Sequence, residues 1–463
     1  MRDPTAAAIA TNRFGLGARP GELATCAGDP RGWLEAQLKG APPVIGDPTL
    51  QSTAAMVAST DQIRAQNRAH RAVLDTVVKL GALYRPAYVA EVMARLRLAA
   101  TTDRPFLERI TQFWSNHFAV SVDKAVVLGV AGSYEREAIR PNVLGSFQDL
   151  LLAVERHPAM LLYLDNYRSV GPDSILAQRS LERAGKALGI NENLAREIME
   201  LHTLGVDAGY TQADVTAFAK VITGWSIGAA GAAAGRGMTG GGVPGDFYFR
   251  TNIHEPGTQT VMGRRYSQDG LSQGQSVLLD LAHSKATAQH IATQLARHFI
   301  ADEPPPDSVS RLARVFNRTG GDLPALYRAL IAEGAAWSGP LRKFKTPNDY
   351  VISAWRALDM PVDDARKVPP IFADLGQRVW SPNSPAGWPD RSADWDGASA
   401  LMQRLRWADQ IGQRLGASLN AVQLAPQILG ATLADNTRLA LSRAASGAQA
   451  VTLLLAAPEF MRR

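Results

Sequence analysis

The sequence predicts a mainly α protein, an irregular multi-helix bundle that carries a small β-hairpin or ribbon near residues 246–266. Apolar residues recur at the three- and four-residue spacing of helices over much of the chain. Only 246–266 alternates aromatic and polar residues as a strand does, with Pro256-Gly257 as a turn signal. No repeat period of a solenoid is evident, so residues 1–463 are expected to form a single helical domain.

The helices are predicted in order from periodicity and from their start and stop signals. The first pattern covers 71–100 and is expected to form two pieces, because Gly81 and Pro86 interrupt it. A second helix begins near Pro105, where proline suits the first turn. Further helices are predicted at 145–164, 191–204, 212–224, 272–282, 285–299, 308–317, 322–333, 345–358, 399–416 and 433–457.

Two stretches break this helical pattern. Residues 226–245 are rich in Gly and Ala, which leaves little to bury, and this predicts a flexible loop that could act as a lid. Residues 379–397 combine Pro, Gly and Asp with three tryptophans. Each indole has a large apolar area to bury, so this second stretch is expected to be an ordered loop packed on the body.

Composition excludes several classes of protein. A single cysteine, Cys26, rules out an internal disulfide framework. The net charge of +6 is spread along the chain rather than clustered, so no nucleic-acid partner is expected. No stretch approaches the ~20 apolar residues of a membrane span, and the first residues lack the pattern of a secretory signal. The expected location is the cytoplasm, or the periplasm if the chain is a processed form.

The segment "NENLAREIMELHTLGVDAGY", residues 191–210, carries several titratable side chains into a helical pattern. Asn191 is a plausible N-cap, and Gly205 stands where a helix end favours a left-handed residue. Glu197 and Glu200 share a face, whereas His202 lies about 200° around the helix from Glu200. The three side chains can converge only if the last turn unwinds.

Two carboxylates on one helical face repel each other unless a cation or a shared proton lies between them. The Glu-x-x-Glu-x-His spacing is a loose match to the Glu-x-x-His motif of helical di-metal proteins. The plainer alternative is that Glu197 pairs with an arginine, Glu200 is solvated, and His202 donates to a backbone carbonyl.

Two other segments add imidazoles and carboxylates. "FWSNHF" contributes Asn116 and His117, and "NIHEPG" contributes His254 and Glu255. Such groups suit a divalent transition metal, Zn, Fe, Mn or Ni. Surface or cap positions are expected for histidines 70, 157, 283 and 290. His298 is expected at the edge of the core. The predicted site has His117, Glu200, His202 and His254 as metal ligands, Glu197, Glu200 and His202 as catalytic residues, and Asn116, Thr203 and Glu255 as cofactor-binding residues.

Together these segments resemble the bacterial family known as domain of unknown function 1800. The resemblance rests on "RFGLGARPGEL", "ITQFWSNHFAVS", the "ENLAREIMELHTLG" block, "IHEPGTQTVMG", "SPNSPAGWPD" and "LLLAAPEFMRR", and it covers nearly the whole chain. It implies a largely helical and often exported protein that is often encoded beside a sulfatase-like partner. The sequence departs from the family habit in lacking an export signal, and in having Glu255 where an aspartate is expected.

Two functions follow as hypotheses. The first is a metal-dependent enzyme, an oxidoreductase or a hydrolase, built from the three motif segments. The second is a non-catalytic scaffold or maturation partner of a sulfatase-like protein, in which the motif residues form a structural polar network. Ser-His-Asp catalysis is a weaker third hypothesis, since no G-x-S-x-G elbow is present.

Overall fold

The computed structural model describes residues 3–42, 44–69, 73–206, 208–228 and 241–463. These residues form a mainly helical protein, as predicted. The helices of the first half are α1 (Pro4–Ile9), α2 (Glu22–Cys26), α3 (Pro30–Ala36), α4 (Thr53–Ala69), α5 (Val73–Thr101), α6 (Pro105–His117), α7 (Ala131–Tyr134), α8 (Phe147–Arg156), α9 (Pro158–Tyr163), α10 (Ile175–Ala184), α11 (Asn193–Glu197) and α12 (Gln212–Val221). Those of the second half are α13 (Leu271–Ala282), α14 (Lys285–Phe299), α15 (Pro306–Thr319), α16 (Leu323–Ala332), α17 (Pro347–Leu358), α18 (Val368–Asp374), α19 (Ala398–Leu415), α20 (Ala421–Leu429), α21 (Asp435–Ser442) and α22 (Gly447–Ala456).

The buried apolar side chains form one cluster that runs from Ala7 to Met461. Large aromatic residues lie at its centre, among them Phe14, Phe106 and Trp114. The ring of Phe14 contacts that of Phe106 on α6 and that of Phe299 on α14. The N-terminal segment is therefore packed between α6 and α14.

Three predicted helices differ from those observed. Residues 73–101 form the single helix α5 with Pro86 inside it, so the predicted break was wrong. A helix of this length can lose the hydrogen bond of one proline and continue. The predicted helix 145–164 is instead divided into α8 and α9 at His157-Pro158, and His157 has extended backbone, as the residue before a proline prefers. The predicted helix 433–457 is likewise two helices, α21 and α22.

Two small antiparallel sheets stand where one ribbon was predicted. Strand β1 (Trp225–Ile227) pairs with β2 (Phe247–Phe249), and β3 (Gln259–Val261) pairs with β4 (Arg264–Tyr266). Ser226 and Ile227 thus belong to a buried strand and not to the predicted flexible loop, because their backbone pairs with β2. Most of that loop, residues 229–240, lies outside the described residues, and the lid prediction falls there. The turn of the second hairpin is at Met262-Gly263, where both φ angles are positive, and not at Pro256-Gly257.

The helix of the 191–210 motif does unwind in its last turn. α11 ends at Glu197, and residues Ile198–His202 continue it as a π-helix. π-Helical turns insert one residue and re-aim the side chains that follow. The next helix, α12, begins with a capping box of Thr211 and Asp214, and the Thr-x-x-Asp spacing of these residues is itself a sequence signal for a helix start.

The loop at 379–397 is ordered and packed on the body, as predicted. Trp380 and Trp395 are buried, and Trp388 is half-buried against the core. The end of the chain lies beside this loop. The backbone groups of Arg463 pair with those of Lys343 in both directions, at 2.8 and 3.2 Å. This pairing directs the Arg463 side chain into the protein.

No helix in the described ranges is long and apolar enough to cross a membrane.

One buried arginine ties the N-terminal segment to the body. Arg356 of α17 is almost fully buried. Its guanidinium donates to Gly17 O and Thr102 O at 2.9 Å each and to the carboxylate of Glu22 at 2.9 Å. A single side chain therefore fixes the segments before α2, after α5 and within α17.

We expect Arg356→Gln to lower the free energy of unfolding by about 3–5 kcal/mol, because it leaves the carboxylate of Glu22 and two buried carbonyls without their partner. Arg406→Gln changes an exposed arginine of α19 and should cost less than about 0.5 kcal/mol. Urea unfolding of both variants measures the difference. Similar midpoints for the two variants would contradict this role of Arg356.

Candidate active site

A cavity of about 340 Å³ lies between α6, α14 and the 379–397 loop. Polar and charged side chains supply much of its wall. They include Arg109, Gln112, His117, His290, His298 and Asp390. A concave pocket with convergent polar groups is where a small molecule is expected to bind.

The wall contains a paired histidine and aspartate. His298, near the end of α14, has Nδ1 3.1 Å from Asp390 Oδ2 in the tryptophan-rich loop. An ionised carboxylate can only accept, so Nδ1 carries the hydrogen. Burial is the main cause that lowers the pKa of His298 to about 4, and Arg463 and Arg109 lower it further while Asp390 opposes them. The imidazole is therefore neutral at pH 7, and its Nε2 is a free acceptor.

This Nε2 atom is buried and has no hydrogen-bond partner among the described residues. A buried polar atom without a partner costs free energy, and a catalytic role is one reason for a protein to retain such an atom. From the sequence, His298 was expected at the edge of the core, and no sequence pattern connects it with Asp390.

Arg463, the last residue of the chain, holds the aspartate in place. Its fully buried guanidinium lies 3.1 Å from Asp390 Oδ1 and 2.8 Å from Asp349 Oδ2. It also donates to His298 O at 2.6 Å. Lys343 approaches Asp390 from another side, with its Nζ 2.6 Å from the backbone oxygen of that residue. Burial opposes ionisation of Asp390, but His298, Lys343 and Arg463 outweigh it and lower the pKa of this carboxyl group.

The predicted ligand His117 does line the cavity, together with His290. Their rings lie 6.1 Å apart, and His117 lies 6.3 Å from the ring of His202. His117 Nε2 is 3.2 Å from His202 O, and His290 Nε2 is 3.0 Å from Leu201 O. A carbonyl can only accept, so both Nε2 atoms carry hydrogen. These two histidines cap the carbonyls that the π-helical turn leaves free.

The second nitrogen of His290 is also close to the backbone. A Cβ atom on Gly205 would lie 2.8 Å from His290 Nδ1, and Gly205 has a φ angle of +93°. Only glycine fits there, as the sequence predicted from the need for a left-handed residue. His290 was expected at the surface or at a cap, and it is half-buried and caps this helix end.

His202 itself is fully buried, and its partner is Glu155, a residue that was not predicted from the sequence. Its Nδ1 lies 2.7 Å from Glu155 Oε1, and both side chains are inaccessible to solvent. His202 Nε2 and Glu155 Oε2 are buried without a hydrogen-bond partner among the described residues. Glu155 lies on the apolar helix α8, where no spacing rule connects it with the 191–210 segment.

The two glutamates of the motif are half-buried rather than enclosed. Burial raises the pKa of Glu197, the charges of Glu200 and Glu155 raise it further, and His202 opposes them. Glu200 and His202 therefore act in opposite directions on the ionisation of Glu197. Thr203 donates to Ile198 O at 2.5 Å and so caps the turn.

His254 and Glu255 form a different cluster. His254 Nδ1 is 2.9 Å from Thr223 O, and Glu255 N donates to Thr223 Oγ1 at 2.8 Å. The buried Glu255 carboxylate accepts from Asp173 N and lies 3.2 Å from Lys220 Nζ. Neither residue is among the described residues that line the cavity. Their hydrogen bonds hold the segment before β3 against the end of α12.

Asn116 fixes one wall of the cavity. Its Nδ2 donates to Trp388 O at 2.9 Å, and its Oδ1 accepts from Trp388 N at 2.8 Å. This pair of bonds docks the loop of Asp390 onto α6. Asn116, predicted to bind a cofactor, thus orients the cavity wall.

Within the described ranges, no group of three or more His, Cys, Asp and Glu side chains is arranged to hold a metal ion. The metal predicted from the sequence remains a prediction.

Comparison with known proteins identifies a family and gives no activity. The profile of the family described as "Protein of unknown function (DUF1800)" matches residues 9–462 of the 463-residue chain. No curated protein and no solved structure matches the chain. The family resemblance read from the sequence motifs is therefore confirmed.

We expect replacement of two glutamates near His202, Glu155 and Glu200, to lower the free energy of unfolding by very different amounts. Glu155→Ala leaves a buried imidazole without its partner and opens a cavity, so it should lower the free energy of unfolding by about 2–4 kcal/mol. Glu200→Ala, at a half-exposed position, should cost less than about 0.5 kcal/mol. Chemical denaturation of both variants measures the two values. A large loss with Glu200→Ala would instead favour the ligand role that the sequence predicted for Glu200.

Proposed function

The chain is a member of the DUF1800 family of proteins of unknown function, and we propose that its cavity is the active site of a hydrolase in which His298 is the general base. The observation that carries the proposal is the buried His298 imidazole, whose Nδ1 is bound to Asp390 while its Nε2 has no hydrogen-bond partner in the described chain. A neutral histidine oriented by a carboxylate is suited to accept a proton at neutral pH.

Water is the nucleophile in this proposal. Ser115 and Thr346 are the hydroxyl-bearing residues among the described residues of the wall. Ser115 Oγ donates to Glu135 at 2.9 Å, and Thr346 Oγ1 accepts from Asp349 N at 3.1 Å as an N-cap. Both hydroxyls thus have structural partners, which favours activation of a water molecule over attack by a side chain.

The proposed hydrolysis has two stages, attack by water and departure of the leaving group. His298 Nε2 accepts a proton from water as the water oxygen bonds to the electrophilic carbon or phosphorus of the substrate. The bond to the leaving group then breaks, and the imidazolium returns the proton to that group. Asp390 stabilises the imidazolium meanwhile, and Arg463 and Lys343 hold Asp390 ionised.

We expect His298→Gln and Asp390→Asn to reduce turnover about 10²–10⁴-fold, the range of general acid–base catalysis. A panel of chromogenic carboxylic esters, amides and phosphoesters provides the assay. His283→Gln is the matched control, because His283 is an exposed histidine outside the cavity wall. Turnover that survives His298→Gln in a folded protein would contradict the proposal.

A second candidate function, metal dependence, is favoured by one observation. His202 has a carboxylate on Nδ1 and an unpartnered Nε2, and this arrangement is typical of histidines that bind metals. The donor set is incomplete among the described residues. We therefore assign no step of the reaction to a metal.

Elemental analysis of protein purified without added metal tests this second candidate. If His202 is a ligand for Zn, Fe, Mn or Ni, the purified chain should contain that metal stoichiometrically, and His202→Gln should release it while His283→Gln does not. A metal-free protein whose activity withstands a chelator would exclude the candidate.

The scaffold role, the sulfatase-like partner and the cellular location remain predictions from the sequence. The fully buried His202–Glu155 pair is the observation that favours a structural network in this region, and such a network is compatible with catalysis in the adjacent cavity.

A further inference from the structure

We propose that the cavity binds an oxyanion of the substrate, a carboxylate or a phosphoryl group, through Arg109 and Gln112 of α6. This inference rests on the proposed function and adds the substrate class to it. The two residues are three positions apart and therefore lie on the same face of the helix, one turn from each other. Both line the cavity.

Each residue has a buried donor atom that donates to no described residue. Arg109 is about 1% exposed, its Nε donates to Gly15 O, and its Nη1 lies 3.1 Å from Asp349 Oδ1. Its Nη2 has no hydrogen-bond partner among the described residues, and neither has Gln112 Nε2. The amide of Gln112 is oriented by Asn348 Nδ2, which donates to Gln112 Oε1 at 2.8 Å. The NH₂ group is consequently the end that remains free.

The charge around the cavity floor also favours an anion. The charged residues that line the cavity in the described chain are five arginines and three aspartates, namely Arg95, Arg109, Arg297, Arg378 and Arg391, and Asp349, Asp390 and Asp394. The lining thus has more cationic than anionic groups. Burial lowers the pKa of Lys345 to about 7, and the nearby Arg109, Arg463 and Arg404 lower it further against the effect of Asp349. An anion in the cavity would relieve this excess of positive charge.

Two of the three carboxylates that line the cavity, Asp349 and Asp390, do not oppose such a ligand strongly, and the third, Asp394, is exposed to solvent. Asp349 lies between Arg109 and Arg463, and Asp390 is bound by His298, Lys343 and Arg463. Their charges are therefore compensated by close partners. The donors of Arg109 and Gln112 stand on the α6 wall, and the His298 base stands on α14. A substrate anchored by its oxyanion on α6 would place its reacting bond toward His298.

Isothermal titration of the full chain with inorganic phosphate, succinate and the neutral analogue succinamide tests the proposal. We expect saturable binding of phosphate or succinate and none of succinamide. The stronger of the two anions identifies the phosphoryl or the carboxylate class. Gln112→Glu keeps the acceptor for Asn348 but replaces the free donor by a negative charge. It should weaken anion binding by about 10-fold or more, the equivalent of one hydrogen bond to a charged group.

Gln427→Glu is the matched control, because it adds the same charge at an exposed position of α20. Gln112→Met removes the donor without adding a charge and serves if Gln112→Glu does not fold. Absence of saturable binding, or equal affinities in the position-112 and position-427 variants, would overturn the proposal. The same titrations with His298→Gln separate the two proposals: binding retained with turnover lost supports both, whereas binding retained with turnover unchanged refutes only the base.

Discussion

The burial of Arg463 between Asp349 and Asp390 is the interaction on which the organisation of the candidate site depends. The guanidinium is inaccessible to solvent and contacts both carboxylates. Through them it connects α17, the tryptophan-rich loop and α14, and Arg109 extends the cluster to the N-terminal segment at Gly15. Removing one partner from such a buried ion pair leaves an uncompensated charge, which costs far more than the pair itself contributes. Four distant parts of the chain are thus held in one geometry around the cavity.

The histidines near the cavity have different roles that their surroundings explain. His117 and His290 use one nitrogen each to satisfy carbonyls of the π-helical turn. His202 is enclosed beneath them with Glu155. His298 alone among them combines a carboxylate partner and a position in the cavity wall with a nitrogen that has no partner among the described residues. These properties together are those of a general base, whereas the first three histidines stabilise the helix end that forms the neighbouring wall.

Interactions between residues that are close in the sequence could be predicted, whereas pairs formed by residues that are distant in the sequence could not. Pro105 at a helix start, the Thr211–Asp214 capping box and the need for Gly205 each depend on neighbours within a few residues, and each is observed. His298 and Asp390 are separated by 92 positions, so no spacing connects them. His254 was grouped with His117 because both are polar residues in apolar surroundings. Its partner is instead the nearby Thr223 O, since a backbone carbonyl can satisfy an imidazole as well as another side chain can.

The protonation state and tautomer of the His298 imidazole test most directly whether this residue is the base. Nitrogen NMR of imidazole-labelled protein, assigned by comparison with His298→Gln, reports the protonation and tautomer of this ring as the pH is lowered. We expect the His298 ring to be neutral at pH 7 with its hydrogen on Nδ1, and its pKa to be lowered from the usual 6.5 to about 4. We also expect Asp390→Asn to disturb the preference for this tautomer. A ring that is already cationic at pH 7, or one that carries its hydrogen on Nε2 at neutral pH, would contradict the assignment of His298 as the base.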